Sequence, residues 1–195
     1  MKLILASTSP YRRAILDNLH LHFTTARPDI DESPRAGEIP AALVERLARE
    51  KAFAIPAAED AFVIGSDQVA ELDGQILGKP LTRERAFAQL KACSGREVVF
   101  HTGLCLRRGE QHKSLVEPFR VRFRTLQDAE ILHYIEQEQP LDCAGSFKSE
   151  GLGILLFAAL QGRDPNALIG LPVIALGELF REYGINLLMH AQKLT

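Results

Sequence analysis

The chain has 195 residues, of which 46% are hydrophobic and 25% charged, with a formal net charge of −2. That length suits one domain, or one domain of two lobes, and the ordinary apolar content excludes a disordered or fibrous chain. The slightly negative balance excludes a general lure for polymeric nucleic acid, so any anion has to be recognised locally. Cys93, Cys105 and Cys143 are odd in number, far apart and match neither zinc nor disulfide spacing, which fits a reducing, cytoplasmic setting. Leu3-Ile4-Leu5-Ala6 is too short for a signal-peptide core. No apolar run reaches the roughly 18 residues that would span a bilayer, so no membrane partner is expected.

Lys2 to Ala6 reads as a short buried strand, and a helix follows with Ser9 as its cap and Pro10 at its first position. A second helix begins at Pro40, where Leu43, Leu47 and Lys51 share one face, so a lysine ends an apolar stripe that stops near Pro56. Ala61 to Val69 begins as an apolar, β-rich run, and the Asp73-Gly74 turn predicts a hairpin to Gln75-Ile76-Leu77. Thr82 to Cys93 predicts a helix that Ser94-Gly95 ends. Strands over Val98 to Leu106 and Val116 to Phe123 follow, the second alternating apolar residues with Arg120, Arg122 and Arg124 as expected of one wet face. Thr125-Leu126-Gln127-Asp128 predicts a capping box before a helix carrying Ile131, Leu132 and Ile135. Gly145 to Gly151 reads as a polar loop, Ile154 to Leu160 as an apolar run, and a last helix spans about Pro172 to Tyr183 with Gly184 as its stop. The mixture predicts an α/β or α+β class with a mixed sheet.

A strand running into a helix start offers backbone N–H groups and the positive end of the helix dipole, a site for phosphate or carboxylate. Ser7 and Ser9 would add hydroxyl donors there, and Arg12 and Arg13 charge in fork geometry. An ordinary capped helix with solvated arginines fits the same stretch. No G-x-x-x-x-G-K-[ST] is present, and Gly151-Leu152-Gly153 lacks the third glycine of a dinucleotide fingerprint. Asp67 lies at the end of Phe62-Val63-Ile64-Gly65-Ser66, where a strand delivers a carboxylate to the sheet's edge, although a lone aspartate there also serves as a turn former. Asp29, Asp31 and Glu32 supply loop carboxylates of the kind that hold Mg²⁺ together with substrate phosphates, or that are simply solvated. Lys79 sits on the restricted turn Gly78-Lys79-Pro80, and Lys148 and Glu150 in a glycine-flanked loop able to approach a ligand. His20 and His22 form no metal-ligand spacing, and the cysteines read as packing groups.

Taken in order, Ser7-Thr8-Ser9-Pro10-Tyr11-Arg12-Arg13, Asp31-Glu32, Glu50-Lys51-Ala52, Gly65-Ser66-Asp67-Gln68-Val69, Gly78-Lys79-Pro80 and Gly145-Ser146-Phe147-Lys148-Ser149-Glu150-Gly151 resemble the Maf family of nucleoside triphosphate pyrophosphatases over nearly the whole chain. The resemblance implies a fold akin to inosine triphosphate pyrophosphatases: an elongated mixed sheet flanked by helices, in two lobes with a central cleft. It implies divalent-metal-dependent hydrolysis, with Mg, Mn or Co as the cation, a nucleotide as substrate and a homodimer as the assembly. Asp67 would be the catalytic base, Glu32 and Asp67 the metal carboxylates, and Ser7, Ser9, Arg12, Arg13, Lys51, Lys79 and Lys148 the phosphate ligands.

Within the family, Tyr11, Gln68 and Glu150 resemble the branch acting on 7-methyl-GTP, where the dTTP/UTP branch usually shows arginine, threonine and glutamine. Chemistry agrees with that split. Methylation at N7 makes guanine cationic, so an aromatic face and a carboxylate suit it better than an arginine does. Glu150 can accept from the guanine N1–H and exocyclic amine, and Tyr11 can stack on the ring. The branch often has tryptophan at the position of Tyr11, so this chain departs from it toward a weaker cation–π face. The competing readings are a pyrophosphatase for dTTP/UTP or other noncanonical nucleotides, and a non-catalytic nucleotide sensor regulating septum formation.

Overall fold

In a computed structural model, described here for residues 1–191, the elements in chain order are β1 (Leu3–Leu5), α1 (Pro10–Asn18), β2 (Thr24–Thr25), α2 (Pro40–Phe53), β3 (Phe62–Leu72), β4 (Gln75–Leu77), α3 (Arg83–Cys93), β5 (Glu97–Arg108), β6 (Gln111–Phe123), α4 (Asp128–Glu138), β7 (Phe157–Gln161), α5 (Pro165–Ile169) and α6 (Val173–Glu182). The sheet is mixed and the class α/β, as expected. Two compact units divide the chain: residues 1–67, 102–117 and 164–191 form the first, and residues 68–101 and 118–163 the second. β3, β5 and β6 are long enough to contribute residues to both.

In the first unit β1 runs parallel to β2 and to β3, with Leu3, Ile4 and Leu5 opposite Phe62, Val63 and Ile64. Because side chains alternate along a strand, these strands feed two separate cores. Leu3, Leu5, Phe62, Ile64, Leu104 and Leu106 pack with Ile15 and Leu16 of α1 and with Leu176 and Phe180 of α6. Val63, Ala6 and Cys105 face the other way, against Ala48 and Ala52 of α2. The residues on that second face are small for a reason. A Cβ at Gly65 would stand 2.0 Å from the carbonyl oxygen of Ala48, and one at Gly103 would stand 2.1 Å from that of Val44. The backbone of α2 therefore lies directly on β3 and β5, an approach that only glycine permits.

In the second unit β3 turns through Asp73 and Gly74 into β4, pairing Ala70, Glu71 and Leu72 with Leu77, Ile76 and Gln75. β6 pairs antiparallel with β7, with Arg120 opposite Gln161 and Arg122 opposite Ala159. Arg120 and Arg122 are exposed while Val121 and Phe123 are buried, so the expected wet face is present. Phe100, Phe123, Phe147 and Phe157 meet edge to face at centroid separations of 4.8–5.7 Å.

Several local expectations are corrected. The cap of α4 is Gln127 rather than Thr125: the Gln127 amide donates to Glu130 Oε2 at 2.8 Å, because the reaching carboxylate stands three residues after Gln127. Leu132 points to solvent, since it falls off the Ile131–Ile135 face. The stretch read as a polar loop buries Gly145, Ser146 and Phe147. β3 continues to Leu72, so Asp67 sits within a strand and not at its end. The partner strand β1 stops at Leu5, however, so Asp67 still projects past the carboxyl end of the β1–β3 pairing. β2 and α5 had no sequence expectation.

Gly65→Ala should destabilise the protein by about 2–3 kcal/mol in urea unfolding, because α2 has to lift from the sheet to admit one methyl group. Gly78→Ala, where an added Cβ meets nothing, should stay within about 0.5 kcal/mol of the parent.

Candidate functional site

The first unit gathers most of the charged candidates. Asp67 follows Gly65 by two residues on β3 and shares its face, so its carboxylate points to α2. There the buried Lys51 Nζ donates to Asp67 Oδ1 at 2.6 Å and stands 2.8 Å from Glu32 Oε1. One ammonium thus joins a strand carboxylate to a loop carboxylate. Glu32 is more than half exposed and Asp67 is 12% exposed, so the pair opens toward solvent on the Glu32 side.

The neighbouring residue Ser66 faces the opposite way, and its hydroxyl donates to the Gly170 carbonyl at 2.9 Å. The same carbonyl accepts from Arg12 Nε at 2.8 Å. Arg12 Nη1 lies 3.4 Å from Ser7 Oγ. Burial lowers the Arg12 pKa, and Asp67 and Glu32 oppose that shift electrostatically, but a guanidinium stays protonated at any working pH. Gly170 ends α5, a helix capped by the buried Asp164, whose Oδ1 accepts from the Asn166 amide at 2.9 Å and whose Oδ2 accepts from the Ile174 amide at 2.7 Å.

At the start of α1 two amides already have partners. The Ser9 amide donates to Ser7 Oγ at 3.1 Å, and the Arg12 amide donates to Ser9 Oγ at 3.4 Å. Each serine oxygen is an acceptor here, which leaves its hydroxyl hydrogen to donate. The expected cradle therefore presents O–H groups more than open amides. Arg13 is turned away to an exposed pair with Asp17 at 3.6 Å and does not join Arg12. Tyr11 is half-buried at the first turn, one residue from Arg12.

The second unit holds the other candidates. Gln68 is half-buried on β3, and Lys79 is exposed. The loop carrying Lys148 and Glu150 is tied at many points. Ser146, at φ 62°, is hydrogen-bonded through its hydroxyl to Gln89. The Lys148 amide donates to the Tyr134 hydroxyl at 2.9 Å, and the Leu152 amide donates to Glu138 Oε1 at 2.7 Å. Lys148 Nζ donates to the Glu138 carbonyl at 2.8 Å, where it caps the carbonyl end of α4. A phosphate would have to compete for that ammonium. Glu150 is exposed, with the Ser149 hydroxyl 3.3 Å from its Oε2. Cys93 and Cys105 are buried, and burial pushes both thiols up to about 12, which removes them as nucleophiles.

The model of a family described as Maf-like protein matches residues 2–183. The chain belongs to the Maf family. It is 56% identical over 187 residues to a 7-methyl-GTP pyrophosphatase of Xanthomonas oryzae pv. oryzae, covering 95% of this chain and 98% of that protein. It is 55% identical over 188 residues to a protein of the same name from Alcanivorax borkumensis, covering 95% of each. Among solved structures it resembles the Staphylococcus aureus Ham1 protein at a TM-score of 0.51 and 15% identity, over 95% of this chain and all of that one, which shows a shared fold. No helix among the described residues is long and apolar enough to cross a membrane.

Sequence reasoning missed Arg46, Glu38, Ser66 and Asp164. Two of these carried a signal. Arg46 falls beside Leu43 and Leu47 on the apolar side of a helix, where an arginine requires buried acceptors. Asp164-Pro165 followed by Gly170 is the cap, first-turn proline and terminal glycine of a short helix. Glu38 is held down from 4.5 to about 2, first by its hydrogen bond to the Arg46 guanidinium and then by the Arg35 amide. A carboxylate depressed in the folded state adds stability above its unfolded pKa and loses it as pH falls through the folded one. Stability should therefore decline between about pH 4.5 and pH 2 in part through Glu38, and Glu38→Gln should flatten that limb of a pH-dependent urea series.

Proposed function

We propose that this Maf protein hydrolyses 7-methyl-GTP between its α- and β-phosphates, giving 7-methyl-GMP and pyrophosphate. The observation that supports this most is the chain Glu32–Lys51–Asp67: two carboxylates converging on one buried ammonium, with Arg12 sensing both electrostatically. The names of relatives at 55–56% identity over nearly the full length supply the base.

A divalent cation is part of this reading. Glu32 and Asp67 are hard oxygen donors, the ligand type that Mg²⁺ and Mn²⁺ take, and each has a second oxygen besides the one that Lys51 Nζ holds. Among the described residues no group of three acidic, histidine or cysteine side chains could hold an ion alone, so the triphosphate would complete the coordination. When bound, the cation supplies charge neutralisation to the phosphates. The residues of the chain do the rest. Lys51 fixes Asp67 Oδ1, and Asp67 Oδ2 takes the proton of a water that attacks the α-phosphorus. The bond from that phosphorus to the bridging oxygen breaks, and pyrophosphate leaves with the electron pair. Ser7 and Ser9 hydroxyls and the Arg12 guanidinium, held by Gly170, stabilise the charge that develops on the phosphates. Glu150 and Tyr11 read the methylated base, with Gln68 beside the catalytic carboxylate. The reading extends to a cytoplasmic homodimer, which light scattering on purified protein would check.

Pyrophosphate release on a panel of 7-methyl-GTP, dTTP, UTP and noncanonical purine triphosphates, with Mg²⁺, Mn²⁺ or Co²⁺, tests the whole scheme. The highest kcat/KM should be on 7-methyl-GTP; no release from any nucleotide would leave the sensor reading in its place. Asp67→Asn should keep its circular dichroism and lose about a hundredfold or more in kcat. Glu150→Gln should lose about tenfold to a hundredfold on 7-methyl-GTP and little on UTP, because a carboxylate accepting two bonds from guanine is replaced by an amide that offers a donor.

A further inference from the structure

We propose that Arg46 and Glu38 form a clasp whose task is to position Glu32 over Lys51 and Asp67, so that Arg46 and Glu38 are positioning residues for the pyrophosphatase reaction on whose reading this proposal rests. Residues 31–37 form neither helix nor strand, and every one of them is exposed. Such a segment gains no order from apolar burial. It is nevertheless held to α2 in two regions, one around Arg46 and Glu50 and the other at Lys51.

The first is Arg46, which is 7% exposed. Its Nε and Nη2 donate to the two oxygens of Glu38 at 2.6 and 2.8 Å, Nη2 also donates to the Ser33 carbonyl at 3.1 Å, and Nη1 donates to Glu50 Oε2 at 3.0 Å. Glu38 is brought back to Arg46 by a tight turn: its amide donates to the Arg35 carbonyl at 3.0 Å, the Arg35 amide donates to Glu38 Oε2 at 3.0 Å, and Gly37 supplies the left-handed φ of 72°. Arg35 Nη2 adds a bond to Glu50 Oε1 at 3.0 Å. The second place is Lys51, five residues and about 7.5 Å further along the helix, which takes the Glu32 carboxylate.

Glu32 therefore stands beside a neighbour that is fixed to α2. Its carbonyl-side neighbour Ser33 is bonded to Arg46, and the Ser33 amide donates to Asp31 Oδ1 at 2.9 Å in a tight local turn. Exposed ion pairs contribute little, but a buried planar fork that satisfies a carboxylate with two bonds and a backbone carbonyl with a third is directional. The bonds of the clasp run to Ser33, Arg35 and Glu50, so its influence on the chemistry runs through the place of the Glu32 carboxylate.

Two measurements on the full-length protein test this. In Glu38→Gln, and in Arg46→Lys, which keeps the charge and loses the fork, amide hydrogen exchange over residues 32–37 should quicken by about tenfold while Val44 to Ala48 remain protected. In pyrophosphate release from 7-methyl-GTP, Glu38→Gln should lower kcat about tenfold with KM within about twofold, and in a Glu32→Asp background it should add less than about twofold, because both changes act on one carboxylate. Unchanged exchange over 32–37, or a full tenfold effect persisting in Glu32→Asp, overturns the proposal. A wild-type protein silent on every nucleotide overturns the pyrophosphatase reading instead, and the exchange experiment then decides the clasp alone.

Discussion

The contact on which the first unit depends is the seating of the α2 backbone on two glycines of the sheet. Gly65 and Gly103 leave the carbonyls of Ala48 and Val44 no room for a methyl group, so the helix lies closer to β3 and β5 than side chains would ordinarily allow. Everything carried by α2 inherits that closeness. Lys51 reaches Asp67 because Asp67 shares the face of Gly65, and Ser66, one residue between them, is thereby directed to the other face and to Gly170. A single strand segment thus feeds a carboxylate to one side of the sheet and a hydroxyl to the other.

A chain with a net charge of −2 holds its site cations by setting each beside a partner, with Arg46 and Lys51 buried and Arg12 half-buried. Arg46, Lys51 and Arg12 each meet a carboxylate, a carbonyl or both, as removal from water requires. The arginines differ in consequence. Arg12 is oriented by a backbone carbonyl and Arg46 is spent wholly on the loop and helix, whereas Arg13 remains on the surface with Asp17. Adjacent residues of the same type on one helix have separate fates because successive side chains point about 100° apart.

In the second unit the loop from Gly145 to Gly153 owes its form to α4 and to aromatic packing more than to its polar composition. A Cβ at Gly151 would meet Glu138 Oε1 at 2.5 Å and one at Gly153 the Lys148 carbonyl at 2.2 Å. Phe147 is a core residue of its aromatic cluster, and Lys148 is engaged at the end of α4. Glu150 is left exposed between these anchors.

Local elements with a strong period or a capping signature were legible without coordinates: Ser9-Pro10 opening α1, Pro40 opening α2, the Asp73-Gly74 hairpin and the helix before Gly184 all formed as their residues require. The family motifs also named Asp67, Lys51, Glu32 and Arg12, the group that the first unit brings together. What the sequence by itself determined was therefore the kind of element at each place and the types of group available for chemistry, since both follow from spacing along one chain. Only the tertiary structure decided that Asp67 sits within a strand, that Lys51 bridges Glu32 and Asp67, that Arg13 pairs with Asp17 on the surface, and that Arg46 and Gly170 are the supports. The tertiary contacts among those outcomes join residues from 8 to 158 positions apart, and which acceptor a buried donor finds is set by how the elements pack, a quantity that no local pattern encodes.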